Sequence, residues 1–399
     1  MKKFHGFLNT DALFEVLSRL TVKALLGMKS TSTEWYKLIS SPSFIKAQLE
    51  KKGLVLSGFI FQEKYLLANE DIKTISYINI PPLDHHHPNT RSEALVNQKI
   101  LSFLPEDVVV LASCNGLICC RSCFLFSTAN PTLYICNPTN REWTSLACLN
   151  YCRSDRIALA VDHNYTDIPA KFNLIRVKQV KNTNEEEEEE DEEQYLTFEI
   201  YSSETKLWKK SDEVCRCDNN LIKNNGVYAA GVLHWLTDGD EILTFDFKNE
   251  LSCLISVPIP SSEFRTKPEA CIGESKGILH YVMVSEMGLQ VWCLQDYYDV
   301  QWELKFSKSL EEIERENPNF FLNLKNRVLQ RVVDDSPWMN PMGFQDGVLL
   351  IKVCVNLYLY DIEKDKVVQA CNLQDLSPNY TPCPTVLAYS LSLVPLNKA

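Results

Sequence analysis

The sequence has few of the residues on which catalytic and ligand-binding motifs depend. Only 13 glycines and 7 histidines occur among its 399 residues. We expect no G-x-S-x-G elbow, and we find no phosphate-binding glycine loop, no zincin motif and no set of kinase motifs. These absences argue against the nucleotide-dependent and zinc-peptidase classes. We therefore expect no catalytic residues, no cofactor and no metal site.

Long apolar runs and an excess of basic residues are also missing. No segment reaches the ~18 apolar residues that a membrane-spanning helix needs, so we expect no membrane contact. The formal net charge is −12, but nine negative charges lie at 185–193, which leaves −3 for the rest of the chain. A nearly neutral body gives no electrostatic reason for nucleic-acid binding. We expect residues 182–194 to be a disordered acidic insertion, because like charges repel and no apolar residue anchors them.

Cysteine, in contrast, is plentiful. The 15 cysteines are odd in number and scattered along the chain, and we recognise no signal peptide. This pattern suits a reducing compartment. We expect a cytoplasmic or nuclear protein. Cys114, Cys119, Cys120 and Cys123 lie close enough in sequence to suggest zinc. A strand through 117–120 would place Cys119 and Cys120 on opposite faces, so we expect all four not to converge.

The first fifty residues show helical spacing. Residues 7–49 read FLNTDALFEVLSRLTVKALLGMKSTSTEWYKLISSPSFIKAQL, with apolar residues recurring three and four positions apart. Thr21 is placed to cap a second helix, and Ser41-Pro42 is typical of a further helix start. Helices this short cannot bury their apolar faces alone. The unit at residues 4–50 therefore needs a partner or a larger body.

The order of these residues resembles the F-box. The match is carried by Leu8, LFEVLSRL at 13–20, VKALL at 22–26, Trp35 and LISSPSF at 38–44. The resemblance implies docking on the Skp-type adaptor of a cullin-RING ubiquitin ligase. We predict that the adaptor-binding residues are apolar and come from the first two helices: Leu8, Leu13, Val16, Leu17, Leu20, Val22, Leu25 and Leu26.

The chain departs from the family pattern at Thr31 and Thr33, where the family has valine and lysine, and at two proline positions. F-boxes usually have proline after the first leucine and before the Val-Lys pair, where this chain has Asn9 and Thr21. Proline fixes φ and pre-shapes a turn, so its loss could weaken adaptor docking. Two alternatives stay open: an ordinary helical cap on a larger domain, and an interaction scaffold that acts outside the ligase because its F-box is degenerate.

From residue 56 onwards, short apolar runs between turn residues predict an all-β domain. A loose repeat recurs every ~35–60 residues. In each repeat one strand ends near a Gly-Leu or Gly-Val, and a later strand ends in an Asn-Pro, Asp-Phe or Asp-Ile turn. About six units fit between 56 and 396, each the size of a four-stranded propeller blade. We expect the last run, 385–396, to close the ring by pairing into the first blade. An irregular β-sandwich is the alternative.

The repeats SCNGL, YICNPTNREW, GVYAAGVLHWL and ILTFDF resemble the F-box-associated domain of plant F-box proteins, thought to be a kelch-like propeller. We thus predict a mainly β protein: a β-propeller of about six blades with a small N-terminal all-helical F-box. The resemblance implies a non-catalytic subunit of an SCF-type E3 ubiquitin ligase. It would link an unknown target protein to the Skp-type adaptor and, through it, to cullin. A propeller enzyme is the remaining alternative.

Single residues of the repeats also invite assignment. His234 and His280 occupy equivalent positions, which favours a structural role. We expect one group of aromatic residues to pack between blades and another, in loops, to be available to anchor a partner. The first group is Trp143, Trp208, Trp235, Trp292 and Trp302, and the second is Tyr297, Tyr298 and Trp338.

Overall fold

Four short helices precede the sheets of the protein. The computed structural model describes residues 10–62, 74–81, 96–123, 130–148, 150–152, 154–161, 168–181, 193–222, 226–297, 299–329, 338–376 and 384–396. The helices are α1 (Thr10–Leu17), α2 (Val22–Lys29), α3 (Thr33–Ile39) and α4 (Pro42–Lys52), together called the helical module. Within the described ranges, no helix is both long enough and apolar enough to cross a membrane.

Antiparallel sheets follow in chain order. The first contains β1 (Leu56–Gln62), β2 (Ile75–Asn79), β3 (Val96–Asn97) and the last strand, β24 (Thr385–Ser390). The second contains β4 (Val108–Cys114), β5 (Leu117–Ser122), β6 (Thr132–Asn137) and β7 (Glu142–Ala147). The third contains β8 (Arg156–Val161), β9 (Phe172–Lys181), β10 (Gln194–Ser202) and β11 (Leu207–Arg216). The fourth contains β12 (Val227–Ala229), β13 (Val232–Leu236), β14 (Glu241–Asp246) and β15 (Leu251–Ser256).

A larger sheet of eight strands completes the fold. Its first half is β16 (Glu269–Ser275), β17 (Ile278–Ser285), β18 (Gly288–Asp296) and β19 (Gln301–Lys308). Its second half is β20 (Met339–Gln345), β21 (Val348–Val353), β22 (Asn356–Asp361) and β23 (Lys366–Asn372). The halves join where β16 and β20 pair in parallel, at Gly273–Phe344 and Glu274–Gln345. Helices α5 (Leu310–Glu316) and α6 (Leu324–Leu329) connect them, and α7 (Leu373–Leu376) follows β23.

The first strands of successive units lie next to one another. Strand β4 contacts β24 and β8, β12 contacts β8 and β16, and β20 contacts β16 and β24. This closed circuit confirms a mainly β, propeller-like arrangement. Burial follows from it, since both faces of a first strand meet a neighbouring unit. In β4, for example, Val109 and Leu111 contribute to one apolar core, and Val108 and Val110 to another.

The ring closes between the two ends of the β region. Strand β24 pairs antiparallel with β1, with Phe59 opposite Ala388 and Phe61 opposite Val386. The predicted pairing of the last strand-like run into the first unit is therefore confirmed for β24. Residues 391–396, which we call the C-terminal tail, run on beyond this strand without regular structure.

Within the described ranges, a two-residue hairpin joins the first two strands of four repeats: β4–β5, β12–β13, β16–β17 and β20–β21. Between β4 and β5, Asn115 and Gly116 both have positive φ, and Lys276 and Gly277 repeat this geometry between β16 and β17. Type I′ turns need two such residues and match the twist of the strands, so an X-Gly pair is favoured there. Our expectation that a strand ends near the Gly-Leu or Gly-Val and that a turn follows needs correction: the glycine is already in the turn, and the next residue begins the second strand.

Four of the five tryptophans lie between neighbouring units, as expected. Trp235 and Trp292 pack in apolar cores that two units share, and Trp208 and Trp302 donate hydrogen bonds to the next unit. Trp208 on β11 donates its indole N–H to the carbonyl of Ala147 on β7, at 3.3 Å. Trp302 on β19 donates likewise to Ser256 on β15, at 2.9 Å. Trp235 is fully buried in one core, whereas Trp143 on β7 is exposed and contacts Tyr134 of its own sheet. Trp143 is thus the exception in this group.

Candidate functional site

The turns of the helical module are held by side-chain caps. The Thr21 hydroxyl accepts a hydrogen bond from the amide of Ala24, and the Ser32 hydroxyl accepts one from Trp35 at 3.1 Å. Ser41 caps α4, which has Pro42 in its first turn. The predicted cap at Thr21 and the predicted helix start at Ser41-Pro42 are both confirmed. Each cap satisfies a first-turn amide that has no partner within the helix.

Thr21 also explains how the module does without a proline. Its φ of −68° is close to the value that proline imposes, and its side chain supplies the cap that proline lacks. We expect Thr21→Ala to destabilise α2 by about 1 kcal/mol because the cap is lost. Thr21→Pro should stay within about 0.5 kcal/mol of wild type, since a stiffer unfolded chain offsets the lost cap. Hydrogen exchange of the α2 amides measures both. Greater exchange in Thr21→Pro than in Thr21→Ala would contradict this account.

Helices α1 and α4 are joined by an apolar contact and by ionic contacts. The rings of Phe14 and Phe44 meet edge to face, 5.3 Å between centroids. The Lys51 ammonium donates to the Ser18 hydroxyl at 2.9 Å and pairs with the Glu15 carboxylate. Lys51 and then Arg19 lower the pKa of the Glu15 carboxyl. The outer side of α1 is thereby fixed relative to the rest of the module.

The predicted adaptor-binding residues divide into three groups. Leu17, Val22 and Leu25 are buried within the module. Leu13, Leu20 and Leu26 are half-buried, and Val16 is 56% exposed. Leu8 lies outside the described residues. The assignment of all eight residues to an adaptor contact stays a prediction.

An apolar row remains partly open to solvent along α1 and the turn that follows it. Leu13 and Val16 are three positions apart on one side of α1, and Leu20 lies in the turn just after the helix. Tyr36 on α3 is a second exposed apolar residue of the module, and the Lys29 ammonium lies 5.0 Å from its ring centroid. We call Leu13, Val16 and Leu20 the α1 row. Exposed apolar side chains at such spacing are typical of helices that dock in a groove.

The opposite side of the module rests on the C-terminal tail. Leu25, Ile39 and Phe44 belong to the same continuous apolar core as Leu393 and Val394. Burial lowers the pKa of Lys29 on α2, and the nearby Glu142 carboxylate on β7 opposes that shift. The module therefore shares one apolar core with the tail and with strands β4–β6 of the propeller-like body and is not an independent appendage.

The β6–β7 turn holds the tail in place. The buried side-chain amide of Asn137 donates to the carbonyls of Ser392 and Val394, at 2.9 and 2.7 Å. The amide of Asn140 donates to the carbonyl of Leu393 at 3.0 Å. The YICNPTNREW segment thus has a structural function that sequence analysis missed, because its partners lie about 250 positions away.

Comparison with known proteins identifies both parts of the chain. Residues 8–47 match the F-box domain. Residues 89–323, more than half of the chain, match the family described as "F-box protein At3g26010-like, beta-propeller". This chain belongs to the F-box proteins with a β-propeller. The helical module is accordingly its F-box.

Several plant proteins are similar to this F-box protein over most of its length. F-box protein At5g49610 of Arabidopsis thaliana is 24% identical over 329 residues, which cover 78% of this chain and 81% of the relative. F-box protein At5g07610 of the same plant is 26% identical over 322 residues, 76% of this chain and 70% of the relative. F-box/kelch-repeat protein At3g17530 is 23% identical over 270 residues, 66% of this chain and 63% of the relative.

Two of the four clustered cysteines, Cys119 and Cys120, lie on opposite sides of strand β5. Cys119 and Cys120 are both buried, but Cys119 belongs to the core beneath the F-box and Cys120 to the core on the other face of β5. Their predicted opposite orientation is confirmed. In the described part of the chain, no three His, Cys, Asp or Glu side chains are grouped so that they could hold a metal ion.

One sequence match was missed. Residues 273–277 read GESKG, which fits the G-x-S-x-G pattern of serine hydrolases. In those enzymes the serine sits on a sharp turn from strand to helix. Here Ser275 is buried at the end of β16 and leads through the Lys276-Gly277 turn into the antiparallel strand β17. The local structure is a hairpin and not a nucleophile elbow.

The two repeat histidines have structural contacts. His234 is fully buried, with Nδ1 3.2 Å from the carbonyl of Val227 and Nε2 2.8 Å from the hydroxyl of Tyr297. His280 is half-buried, with Nδ1 3.0 Å from the carbonyl of Ile278. The predicted structural role of both is confirmed. Tyr297 is occupied by His234 and so is not a free loop aromatic.

Two other predictions concern residues at or beyond the ends of the described ranges. Tyr298 and residues 182–192 of the acidic insertion lie outside the described residues. The insertion joins β9 to β10, whose flanking residues Lys181 and Gln194 are paired. Trp338 is described, and it borders a cavity near the start of β20.

Proposed function

We propose that this F-box protein is the substrate-recognition subunit of an SCF-type E3 ubiquitin ligase. The F-box would bind the Skp-type adaptor and, through it, cullin, while the propeller holds a target protein. The observation that carries the proposal is the α1 row, an apolar row left open on a module that matches the F-box. A solvent-exposed Val16 between half-buried Leu13 and Leu20 suits insertion into a groove.

The proposed ring has six blades. Strands β16–β19 and β20–β23 each repeat the four-stranded meander of the other sheets, so the eight-stranded sheet counts as two blades. The contacts among β24, β4, β8, β12, β16 and β20 support the same count. Blades arranged in this way bury their faces and leave only short edges.

In this proposal the protein performs no bond chemistry. It raises the effective concentration of a target lysine near the ubiquitin-charged enzyme, because both are held in one assembly. The rigid packing of the F-box on the tail supports such a role, since it fixes the target relative to the adaptor. We further propose a cytoplasmic or nuclear location, where ubiquitin ligation of this type takes place.

Val16→Asp is the direct test of adaptor docking. Val16 is exposed, so the change should leave folding intact, and a charge in an apolar groove should weaken adaptor binding at least about tenfold. Val214→Asp on β11 is the matched control, with 51% exposure and no place in the F-box. Titration of the purified full chain with a Skp-type adaptor gives both affinities.

Equal adaptor affinity of the two variants would contradict the proposed docking face. Failure of the wild-type chain to bind any Skp-type adaptor would favour the alternative of a scaffold outside the ligase. Leu17→Asp is unsuitable for this purpose, because Leu17 is buried and a charge there would disrupt the module itself.

A further inference from the structure

A cavity of about 200 Å³ lies between the α5–α6 connection and the start of the last four-stranded meander. Most of its lining residues are aromatic or apolar, and Asn356 and the Arg327 guanidinium are the polar side chains beside them. The residues that matter for its chemistry are Phe320, Phe321, Leu322, Arg327, Trp338 and Tyr358. Aromatic edge contacts of about 5–6 Å link Phe320 and Phe321 to Tyr358, so this wall is already formed. Leu322 is 66% exposed.

Two polar groups at this cavity have no hydrogen-bond acceptor or carboxylate partner among the described residues. The indole Nε1 of Trp338 is buried, and no acceptor among the described residues reaches it. The Arg327 guanidinium lies 4.4 Å from the centroid of the Trp338 indole ring. Within the described ranges, no carboxylate forms a salt bridge with Arg327. A buried N–H without an acceptor is unfavourable, and an aromatic face keeps a guanidinium in place for an incoming anion.

The cavity is at the end of the strands away from the F-box. Trp338 directly precedes β20, and the β21–β22 turn forms part of the cavity wall. At the other end of β20, the Asp346 carboxylate accepts a hydrogen bond from the amide of Leu56, just after α4. β20 has seven residues, so these ends are about 20 Å apart. An occupant of the cavity would leave the F-box face free.

We propose that this cavity recognises a peptide segment of the target in which a bulky apolar side chain is followed by an acidic residue. The inference rests on the proposed function as a substrate receptor. The volume is below the ~300 Å³ of small-molecule sites and suits one side chain. Phe320, Phe321 and Tyr358 contact that side chain. Arg327 pairs with the carboxylate, and Trp338 donates to a peptide carbonyl.

Short labelled peptides test the proposal without knowledge of the target. The probes are fluorescein-labelled Gly-Ser-Gly-Φ-Glu-Gly-Ser peptides with Φ as Leu, Phe, Trp or Ala, and fluorescence anisotropy with the full chain measures binding. We expect at least one bulky Φ to bind at least about tenfold more tightly than Ala. Exchange of the glutamate for lysine should remove most of this gain, because Arg327 would face a like charge.

Variants of the protein separate the two polar contacts. Arg327→Glu should weaken peptide binding at least about tenfold, and Trp338→Phe, which keeps a ring but removes the N–H, about five- to tenfold. Arg265→Glu is the control, since it makes the same charge change at an exposed residue between β15 and β16. All variants should bind the adaptor as wild type does.

Two results would overturn the inference: no difference between bulky and Ala peptides, or equal effects of Arg327→Glu and Arg265→Glu. Competition by the free N-acetylated amino acid as strong as by the peptide would also overturn it, since the site would then serve a small molecule. Adaptor binding tells the two proposals apart. If only the peptide site is wrong, the chain still binds the adaptor but shows no peptide selectivity. If only the proposed ligase function is wrong, the chain shows peptide selectivity but does not bind the adaptor.

Discussion

Replacing Leu393, Val394 and Leu396 together by alanine is expected to remove about 5–8 kcal/mol of stability. All three side chains are buried, and each loss combines a transfer term with a cavity. Domains of ordinary stability have only about 5–15 kcal/mol in total. The backbone of the tail stays, so the bonds from Asn137 and Asn140 can still form. The lost stability therefore reports apolar burial between the F-box and the body.

Urea unfolding of the full chain, monitored by tryptophan fluorescence, measures this loss of stability. A matched control replaces Leu207, Val214 and Leu251 by alanine, since these three side chains are exposed on β11 and β15. The control should stay within about 1 kcal/mol of wild type. A tail variant as stable as the control would show that the tail does not support the fold, and the proposed rigid link to the F-box would fall with it.

The second large effect concerns pH and His234. Burial lowers the pKa of His234 to about 4, although the hydrogen bond to the Val227 carbonyl opposes the shift. The unfolded chain has a histidine pKa near 6.5 and binds the proton more readily. The native state is therefore favoured fully above pH ~6.5 and loses stability as the pH falls. The loss from this one residue reaches about 3 kcal/mol near pH 4, at ~1.4 kcal/mol per pH unit.

The contribution is isolated by comparing pH profiles. Unfolding free energies of wild type and His234→Asn, measured from pH 7.5 to 4.5, should differ in slope, with the variant flatter. Buried carboxyls whose pKa burial raises, such as Glu274 and Asp346, act in the opposite sense but occur in both proteins and cancel. His280→Asn is the control and should flatten the profile less, because His280 is only half-buried. Parallel profiles for wild type and His234→Asn would refute the assignment.

Local sequence signals predicted those features whose causes are local. Thr21 and Ser41-Pro42 marked helix starts because caps and first-turn prolines act within four residues. The X-Gly hairpins have an equally local cause, positive φ at two neighbouring positions, although we expected a strand end and not the turn itself at the glycine. Even the closing strand β24 was predictable. An apolar run that remains at the end of a repeat array has no unit of its own, and the edge of the first unit is available for it to pair with.

The docking residues could not be resolved in this way. Helical spacing shows that Leu13, Val16, Leu17 and Leu20 are close on a helix, but both an internal core and an external groove require apolar side chains. Only the packing of α1 against α4 shows that Leu17 points inward and Val16 outward. The roles of Asn137 and Trp338 could not be predicted either. Asn137 contacts a tail that is distant in sequence, and Trp338 contacts the α5–α6 connection, which belongs to no repeat.

The pairing of β1 with β24 also has a consequence in time. Phe59 and its partner Ala388 are 329 positions apart. At synthesis rates of ~5–20 residues per second, β1 waits roughly 15–65 s on the ribosome before its second neighbour exists. Throughout that interval one edge of β1 can pair with another chain. We expect nascent chains of this protein to depend on chaperones until the last strand has emerged.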